Sequence, residues 1–192
     1  MRILHRKMEG PFGSEARFPL TVEVGAGDGQ HLPFVNHSFD RYILTDIRCP
    51  SVLPHGNGVS FLQADAHSLP FEEGEVDRLV VTCVLHHLMS PEEALQNWAS
   101  KVRSGGILTI LLPGDPGVVH RLGRHLTTRP AANRLGIDFD LEMAREHRNH
   151  ALSLMKLVDH VFLGDKVKYV GLPFPWRTWN FNFGQIFQIH KL

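Results

Sequence analysis

The sequence predicts an α/β fold in which a mostly parallel sheet is built from strand–helix–strand units. Five short runs rich in Val, Ile or Leu alternate with polar, helix-compatible stretches, and the first run leads into a glycine-rich turn. Runs that are apolar on both faces belong inside a covered sheet, so these segments are expected to be strands. The predicted strands are 21–24, 41–46, 60–63, 78–82 and 107–112.

The composition is that of one folded domain spanning residues 1–192. At this length, and with 43% hydrophobic residues, the chain can bury a core. Twenty Lys and Arg residues balance twenty Asp and Glu residues, so we expect no nucleic-acid partner. Cys49 and Cys83 are too few for a disulfide framework, and no apolar run is long enough for a signal peptide or a transmembrane segment. These features predict a cytoplasmic protein.

The sequence also predicts two helices and a terminal pair of strands. Ser90, Pro91 and Glu93 are typical of a capped helix start, which predicts a helix over 91–103 that Gly105 and Gly106 close. Segment 114–162 is predicted to be an insertion on the substrate side, because 117–136 contains four arginines and two histidines without an acidic residue and a helix is expected over 140–162. The runs 166–170 and 183–190 predict a terminal antiparallel pair at one sheet edge.

The turn after the first strand has the character of a nucleotide-binding loop. Residues 22–29 read V-E-V-G-A-G-D-G, which gives G-x-G-x-G but lacks the third glycine of the dinucleotide fingerprint. Asp46 ends the second strand, 21 positions after Gly25, where a ribose-binding acid lies in such folds. Asp65 follows the third strand at the same edge. A turn without a ligand, and a capping role for Asp46, remain as alternatives.

With these residues the sequence resembles the class I S-adenosylmethionine-dependent methyltransferases, particularly the small type 11 group, over roughly residues 21–113. Further matches are 69–71, 76–80 and 84–88. The resemblance implies a Rossmann-like seven-stranded mixed sheet with helices on both faces and an antiparallel strand near the carboxyl terminus. It implies S-adenosylmethionine as cofactor. The implied positions are the methionine part near Glu23, Gly25, Ala26 and Gly27, and the ribose at Asp46 and Ile47. The adenine is implied at Asp65 and Ala66, and the sulfonium near Cys83.

The acceptor side is predicted from polar residues that follow the fourth and fifth strands. A hydroxyl acceptor must lose a proton, for which histidine is well matched at neutral pH, so His86, His87 and His120 are the candidate catalytic residues. Candidate acceptor contacts are Asp115, Arg121, Arg124, His147 and His150. The arginines favour an anionic small molecule, a sugar- or lipid-linked acceptor or an anionic membrane surface. Packing histidines and a solvated basic face are the alternatives.

Three further expectations concern metals, the lid and rival functions. His147 and His150 are expected on one helix face, but the H-E-x-x-H pattern and nearby cysteines are missing, so no metal site is predicted.

Only about 20 residues precede the first strand, where family members usually carry one or two helices, so residues 1–18 form a minimal cap, the chain starts earlier, or a homodimer or partner completes the lid. The rival functions are a non-catalytic accessory module that binds S-adenosylmethionine and an NAD-dependent oxidoreductase or epimerase. The missing third glycine and the absence of a Tyr-x-x-x-Lys pair disfavour the NAD enzyme.

Overall fold

A computed structural model describes residues 1–52 and 55–192, and these form one seven-stranded sheet in the order β3-β2-β1-β4-β5-β7-β6. Strands β1 to β5 are mutually parallel, whereas β7 is antiparallel to both of its neighbours, β5 and β6. The predicted mixed sheet and its antiparallel carboxyl-terminal strand are therefore confirmed. The strands are β1 Leu20–Val24, β2 Arg41–Asp46, β3 Val59–Gln63, β4 Val76–Thr82, β5 Val102–Pro113, β6 Lys166–Leu172 and β7 Gly184–His190.

Helices cover both faces of the sheet, as expected. The α-helices are α1 Arg2–Glu9, α2 Pro91–Lys101, α3 Val118–Leu126, α4 Thr128–Arg134, α5 Phe139–Glu146 and α6 Ala151–Val161. Helices α2 and α6 pack together and on β5, around the fully buried Trp98 and Phe162. Helix α1 packs through Leu4 and Met8 in a separate cluster with Val80 and other strand residues. Because neighbouring strand residues point to opposite faces, these clusters are the two sides of one sheet.

The crossovers between the first four strands depart from the predicted strand–helix–strand pattern. Within the described parts of 25–40, 47–58 and 64–75 there is no α-helix, and the only helical turn is a 3-10 turn over Leu32–Phe34. Gly25, Gly27 and Gly29 all take positive φ, which disfavours a helix at that point. Side chains of the loop, including Phe39, cover Tyr42 and Leu44 of β2 in place of a helix. The crossover helices predicted for this half are therefore wrong.

The helix predicted over 140–162 is broken into α5 and α6. The main-chain N–H groups of Arg148 and Asn149 both donate to the carbonyl of His86, and that of Ala151 donates to the carbonyl of Asp115. These long-range bonds tie residues 147–150 to the segments that follow β4 and β5. His147 ends α5 and His150 precedes α6, so the prediction that they share one helix face is wrong.

Helix α2 begins at Pro91 as predicted but ends at Lys101, two residues early. The predicted capping box does not form, because the Ser90 side chain caps no N–H among the described residues. Instead, the Ser90 N–H donates to Nε2 of His67 at 3.4 Å. Gly105, at φ +75°, lies within β5, where the register with β4 shifts. Among the helices described, none has the length and apolar character needed to span a bilayer.

Candidate active site

A cleft of about 620 Å³ lies at the carboxyl ends of the parallel strands. A smaller cavity of about 260 Å³ adjoins it and shares Gly25, Gly27 and Cys83. The cleft and the smaller cavity therefore lie on either side of the glycine turn. Residues of four strand ends line the larger cleft: Gly25, Gly27, Asp46, Ile47, Arg48, Ala64, Asp65, Ala66, His67, Cys83, Val84, His87, Leu88 and Met89, with Glu146 and Arg148 opposite.

The glycine turn is shaped by close packing on one side and open space on the other. Gly25 has φ +64°, and a Cβ there would lie 2.2 Å from Cγ2 of Val84, so the position requires glycine. Gly27 has φ +52°, but a Cβ there would meet no described atom within 4 Å. The backbone at Gly27 therefore borders free space that a ligand can approach closely.

Acidic residues end β2 and follow β3 at the cleft. Asp46 accepts the Gly27 N–H through Oδ2 at 2.9 Å and the Arg48 N–H through Oδ1 at 3.0 Å, and each oxygen retains a second lone pair. Asp65 accepts both the backbone N–H and the ring Nδ1–H of His67, and these bonds lower the pKa of its exposed carboxyl. Exposed Ile47 lies beside them at the cleft wall.

Glu23 and Cys83 lie deeper than the other cofactor candidates. Glu23 is fully buried, accepts the Tyr42 hydroxyl at 2.9 Å, and has its pKa raised to about 7 by burial. Cys83 has φ +57° and donates its N–H to the carbonyl of Leu111. Burial raises the pKa of its thiol to about 12, so the sulfur is protonated and unreactive at neutral pH. Ala66 accepts the Trp98 indole N–H through its carbonyl at 2.7 Å.

Helix α1 is fixed beside the glycine turn by a buried polar network. Arg78, in the middle of β4, donates to both oxygens of Glu9 at 2.5 and 2.8 Å, and both side chains are fully buried. His31 joins Glu9 through Nε2 and His5 through Nδ1, each at 2.8 Å. Because His5 and His31 also line the smaller cavity, α1 forms a cap there. Sequence reasoning missed this network; its signal was an arginine within an apolar strand.

The carboxylate of Asp115, which follows β5, lies close to three other acceptor-side candidates. Asp115 accepts Nδ1–H of His147 through Oδ2 at 2.8 Å, pairs with Arg124 through Oδ1, and lies 3.7 Å from Nδ1 of His120. Burial alone would raise the pKa of Asp115, but these three cationic or donor groups bring it well below its ordinary value. The carboxylate is therefore ionised and holds the side chains around it.

Three histidine rings lie next to that carboxylate. The rings of His86 and His87 have centroids 3.9 Å apart, and that of His147 is 4.5 Å from His86. His86 is buried, and burial together with its histidine neighbours lowers its pKa to about 2. His87 donates Nδ1–H to the carbonyl of Glu146 at 2.8 Å and lines the large cleft. We call His86, His87 and His147 the histidine cluster.

Two of the candidate acceptor contacts, His150 and Arg121, belong neither to the histidine cluster nor to the group paired with Asp115. His150 is exposed at the start of α6. Arg121 is exposed and lines a separate cavity of about 370 Å³ with residues of α3 and α5. Arg124 and Arg129 are paired with Asp115 and Asp140. The expectation that no acid compensates the basic segment is therefore wrong for these two arginines, because their partners lie outside 117–136 in the sequence.

The sheet order, the glycine turn and the acidic strand ends together define a class I, Rossmann-like methyltransferase fold. A family model described as a methyltransferase domain matches residues 22–110. This match agrees with the resemblance to the class I S-adenosylmethionine-dependent methyltransferases, and it supports the predicted enzyme class and cofactor. No curated protein matches the chain.

Solved structures share the fold at low sequence identity. NodS, an N-methyltransferase from Bradyrhizobium japonicum solved with S-adenosyl-L-homocysteine, is 14% identical with a TM-score of 0.64, over 99% of this chain and 86% of its own. A protein solved with the Trm112 methyltransferase activator of Haloferax volcanii is 15% identical with a TM-score of 0.65, over 100% and 91%. An S-adenosylmethionine-dependent methyltransferase from Archaeoglobus fulgidus is 13% identical with a TM-score of 0.63, over 99% and 94%.

Proposed function

We propose that this chain transfers the methyl group of S-adenosylmethionine to a hydroxyl of an anionic, sugar- or lipid-linked acceptor. The observation that carries the proposal is that the cleft beside the glycine turn reaches His87, which belongs to the histidine cluster next to Asp115. When bound, the cofactor supplies a methyl group on a sulfonium, whose sulfur keeps the bonding electron pair as the methyl leaves. In this proposal the cofactor and the proton-accepting groups lie along the same wall of the cleft.

The cleft residues fit the proposed cofactor. The open space at Gly27 suits close approach of the methionine part, with Gly25, Ala26 and the buried Glu23 beside it. The spare lone pairs of Asp46 suit the two ribose hydroxyls. We assign the adenine to the region of Asp65 and Ala66, the outer ribose wall to Ile47, and the sulfonium to the region of Cys83. Because α1 of the same chain caps the smaller cavity, the proposal assigns the cap to this chain.

We assign the removal of the acceptor proton to the histidine cluster, with His147 as the central residue. Its Nδ1–H is held by Asp115, which leaves the Nε2 lone pair for a proton and stabilises the imidazolium that forms. His86 is a poor base because burial lowers its pKa to about 2. His87 borders the cleft, and His120 is a positioning residue 3.7 Å from Asp115.

Replacing His147 with glutamine is expected to lower turnover by roughly 100-fold or more, because proton removal by a positioned group contributes about 10²–10⁴-fold. The affinity for S-adenosylmethionine should stay unchanged. Transfer of labelled methyl groups from S-adenosylmethionine to a membrane lipid extract measures turnover, and calorimetric titration measures affinity. His160→Gln is the matched control, since His160 lies exposed on α6. Equal turnover in both variants would contradict the assignment.

The acceptor class is inferred from segment 114–162, which we propose is the substrate-side part of a single domain spanning 1–192. One face of α3 presents Val118, Leu122 and Leu126, which are 56%, 56% and 67% exposed. Arg121, three positions after Val118, lies at the border of this face. A helix with exposed apolar side chains and adjacent cations is typical of a helix that lies on an anionic lipid surface. The proposal therefore favours a lipid-linked acceptor.

The double replacement Leu122→Glu with Leu126→Glu is expected to weaken vesicle binding by roughly 100-fold or more, because each buried leucine contributes about 1.5–3 kcal/mol. Sedimentation with vesicles of phosphatidylcholine and phosphatidylglycerol in equal parts measures the binding. Leu163→Glu is the matched control, since Leu163 is 85% exposed and precedes β6, whose first residue is level with the start of the pairing between β5 and β7, whereas α3 follows the end of β5. If the native chain ignores these vesicles, or both variants bind like it, the lipid surface is not the docking partner.

A further inference from the structure

The histidine cluster has the donor set of a transition-metal site. One ring nitrogen from each of His86, His87 and His147 lies within 4.8 Å of those of the other two. Neutral imidazole is a preferred ligand of Zn²⁺, and bonds of about 2.0–2.1 Å in tetrahedral geometry space the ligand atoms about 3.3 Å apart. The observed spacing is wider than this, so binding of an ion would require the rings to move closer together. The cluster therefore offers three ligands to one ion.

Hydrogen bonds at Nδ1 fix the orientation of two of the rings. His147 donates Nδ1–H to Asp115, and His87 donates Nδ1–H to the carbonyl of Glu146, each at 2.8 Å. Both rings therefore keep their Nε2 lone pairs. A carboxylate or backbone carbonyl on the second ring nitrogen is the usual support of a metal-binding histidine.

One ring nitrogen of His86 is buried without a partner in the described part of the chain, and a carboxylate lies next to the cluster. His86 is only 4% exposed, and its Nδ1 has no hydrogen-bond partner among the residues described. A buried nitrogen of this kind is costly unless a partner is bound. The Asp115 carboxylate, whose Oδ2 accepts Nδ1–H of His147, lies next to the cluster.

We propose that His86, His87 and His147 bind one divalent transition-metal ion of the Zn²⁺ type. Three protein ligands leave a fourth position, as in catalytic rather than structural zinc sites. His87 borders the large cleft, so that position is expected to face the bound acceptor. Ion binding itself stands on the geometry of the cluster, whereas its role in catalysis rests on the proposed methyl transfer.

An ion bound at Nε2 of His147 would occupy the lone pair that takes the acceptor proton in the metal-free chain, so the proton would leave by another route. Coordination to a divalent cation lowers the pKa of a bound hydroxyl, so the proton leaves to water and the oxygen keeps its lone pair. That lone pair forms the new O–C bond while the S–C bond breaks and its electrons stay on sulfur. Asp115 then acts as a positioning residue through His147. Sequence spacing did not reveal this site because two adjacent ligands lie in a 3-10 turn after β4 and the third lies beyond α5.

The test is titration of the apo protein with Zn²⁺ against a chromogenic chelator, together with Co²⁺ spectroscopy, which reports a four-coordinate site by intense d–d bands. We expect one equivalent of each ion in the native chain. His87→Ala and His147→Ala should each weaken Zn²⁺ binding by at least about 10-fold, and Asp115→Asn by roughly 10–100-fold. His160→Ala on exposed α6 should bind like the native chain.

The outcomes separate this proposal from the proposed function. Loss of the Zn²⁺ equivalent in the His87 and His147 variants, with S-adenosylmethionine affinity retained, supports the metal site. Absence of tight Zn²⁺ binding, or binding that these variants leave unchanged, overturns it while leaving methyl transfer intact. Because His87 is partly exposed, its replacement remains informative even if the His147 variant fails to fold. Failure of the native chain to bind S-adenosylmethionine contradicts the proposed function and does not bear on ion binding.

Discussion

Replacing Arg78 with methionine is expected to lower the free energy of unfolding by about 3–5 kcal/mol, the usual effect of removing one partner of a buried ion pair. The guanidinium of Arg78 binds both oxygens of Glu9 and lies 4.2 Å over the ring of Phe12. Without it, the Glu9 carboxylate is left in the core with only His31 as partner. The change should also loosen α1 and the cap at the smaller cavity. Urea unfolding followed by circular dichroism measures the loss.

A double-mutant cycle separates the ion pair from simple loss of packing. Arg78→Met with Glu9→Leu removes both charges and is expected to recover much of the lost stability, because buried ion pairs replaced by apolar residues are often close to neutral. Arg17→Met is the matched surface control, since the Arg17–Asp40 pair is exposed and exposed pairs contribute roughly 0–1 kcal/mol. Additive losses in the Arg78 and Glu9 variants would show that the two residues do not act as a pair.

The same pair gives the fold a specific acid sensitivity. Burial alone would raise the pKa of Glu9, but hydrogen bonds from His31 and Arg78 lower it from 4.5 to about 2. A carboxyl whose pKa is depressed in the folded state stabilises the fold above its unfolded pKa and loses that contribution as the pH falls through the folded value. The stabilisation, on the order of 3 kcal/mol, is thus lost between about pH 5 and 2 and should be absent in the Arg78→Met, Glu9→Leu double variant.

Replacing Asp46 with alanine is expected to weaken S-adenosylmethionine binding by roughly 100-fold or more. Hydrogen bonds to a charged group contribute about 1.5–3 kcal/mol each, and the carboxylate has lone pairs for both ribose hydroxyls. The variant also loses the bond from Asp46 to the Gly27 N–H, which holds the glycine turn. Both losses act on the cofactor and leave the core intact, so the melting temperature without ligand should change little. Calorimetric titration measures the affinity.

The control for Asp46 is Asp40→Ala, which removes an exposed carboxylate just before β2. Its affinity for S-adenosylmethionine should match that of the native chain. Asp46→Asn should fall between the two, because an amide oxygen accepts the Gly27 N–H but carries no charge. Unchanged affinity in Asp46→Ala would place the ribose elsewhere and remove the main basis for the cofactor assignment.

The sheet could be predicted from the sequence because its strands carry their own signal. The apolar runs placed all seven strands to within about five residues, with the largest difference at the start of β5, and the glycine turn and Asp46 indicated the carboxyl edge. The antiparallel carboxyl-terminal strand was predicted from the terminal runs and from the family resemblance, whereas the strand order was not predicted, since local patterns carry no information about neighbours in a sheet. The crossover helices were predicted by analogy with ordinary strand–helix–strand units. In the structure these crossovers are loops, and the first of them contains glycines with positive φ.

The candidate site was less predictable because its contacts are distant in sequence. Glu9 and Arg78 lie 69 positions apart, and an arginine inside an apolar strand was the one local sign of a buried partner. His147 was expected on a continuous helix, but bonds to the carbonyls of His86 and Asp115 break that helix and bring His147 into the cluster. Helix periodicity cannot predict such a break, since the carbonyls that cause it belong to other segments.

Parallel calorimetric titrations of the native chain with S-adenosylmethionine, S-adenosylhomocysteine and NAD test the central claim most directly. We expect one site that binds both adenosyl ligands, with no heat from NAD, because the turn lacks the third glycine of the dinucleotide fingerprint. Binding of NAD without the adenosyl ligands, or of none of the three, would contradict the assignment of this cleft to S-adenosylmethionine.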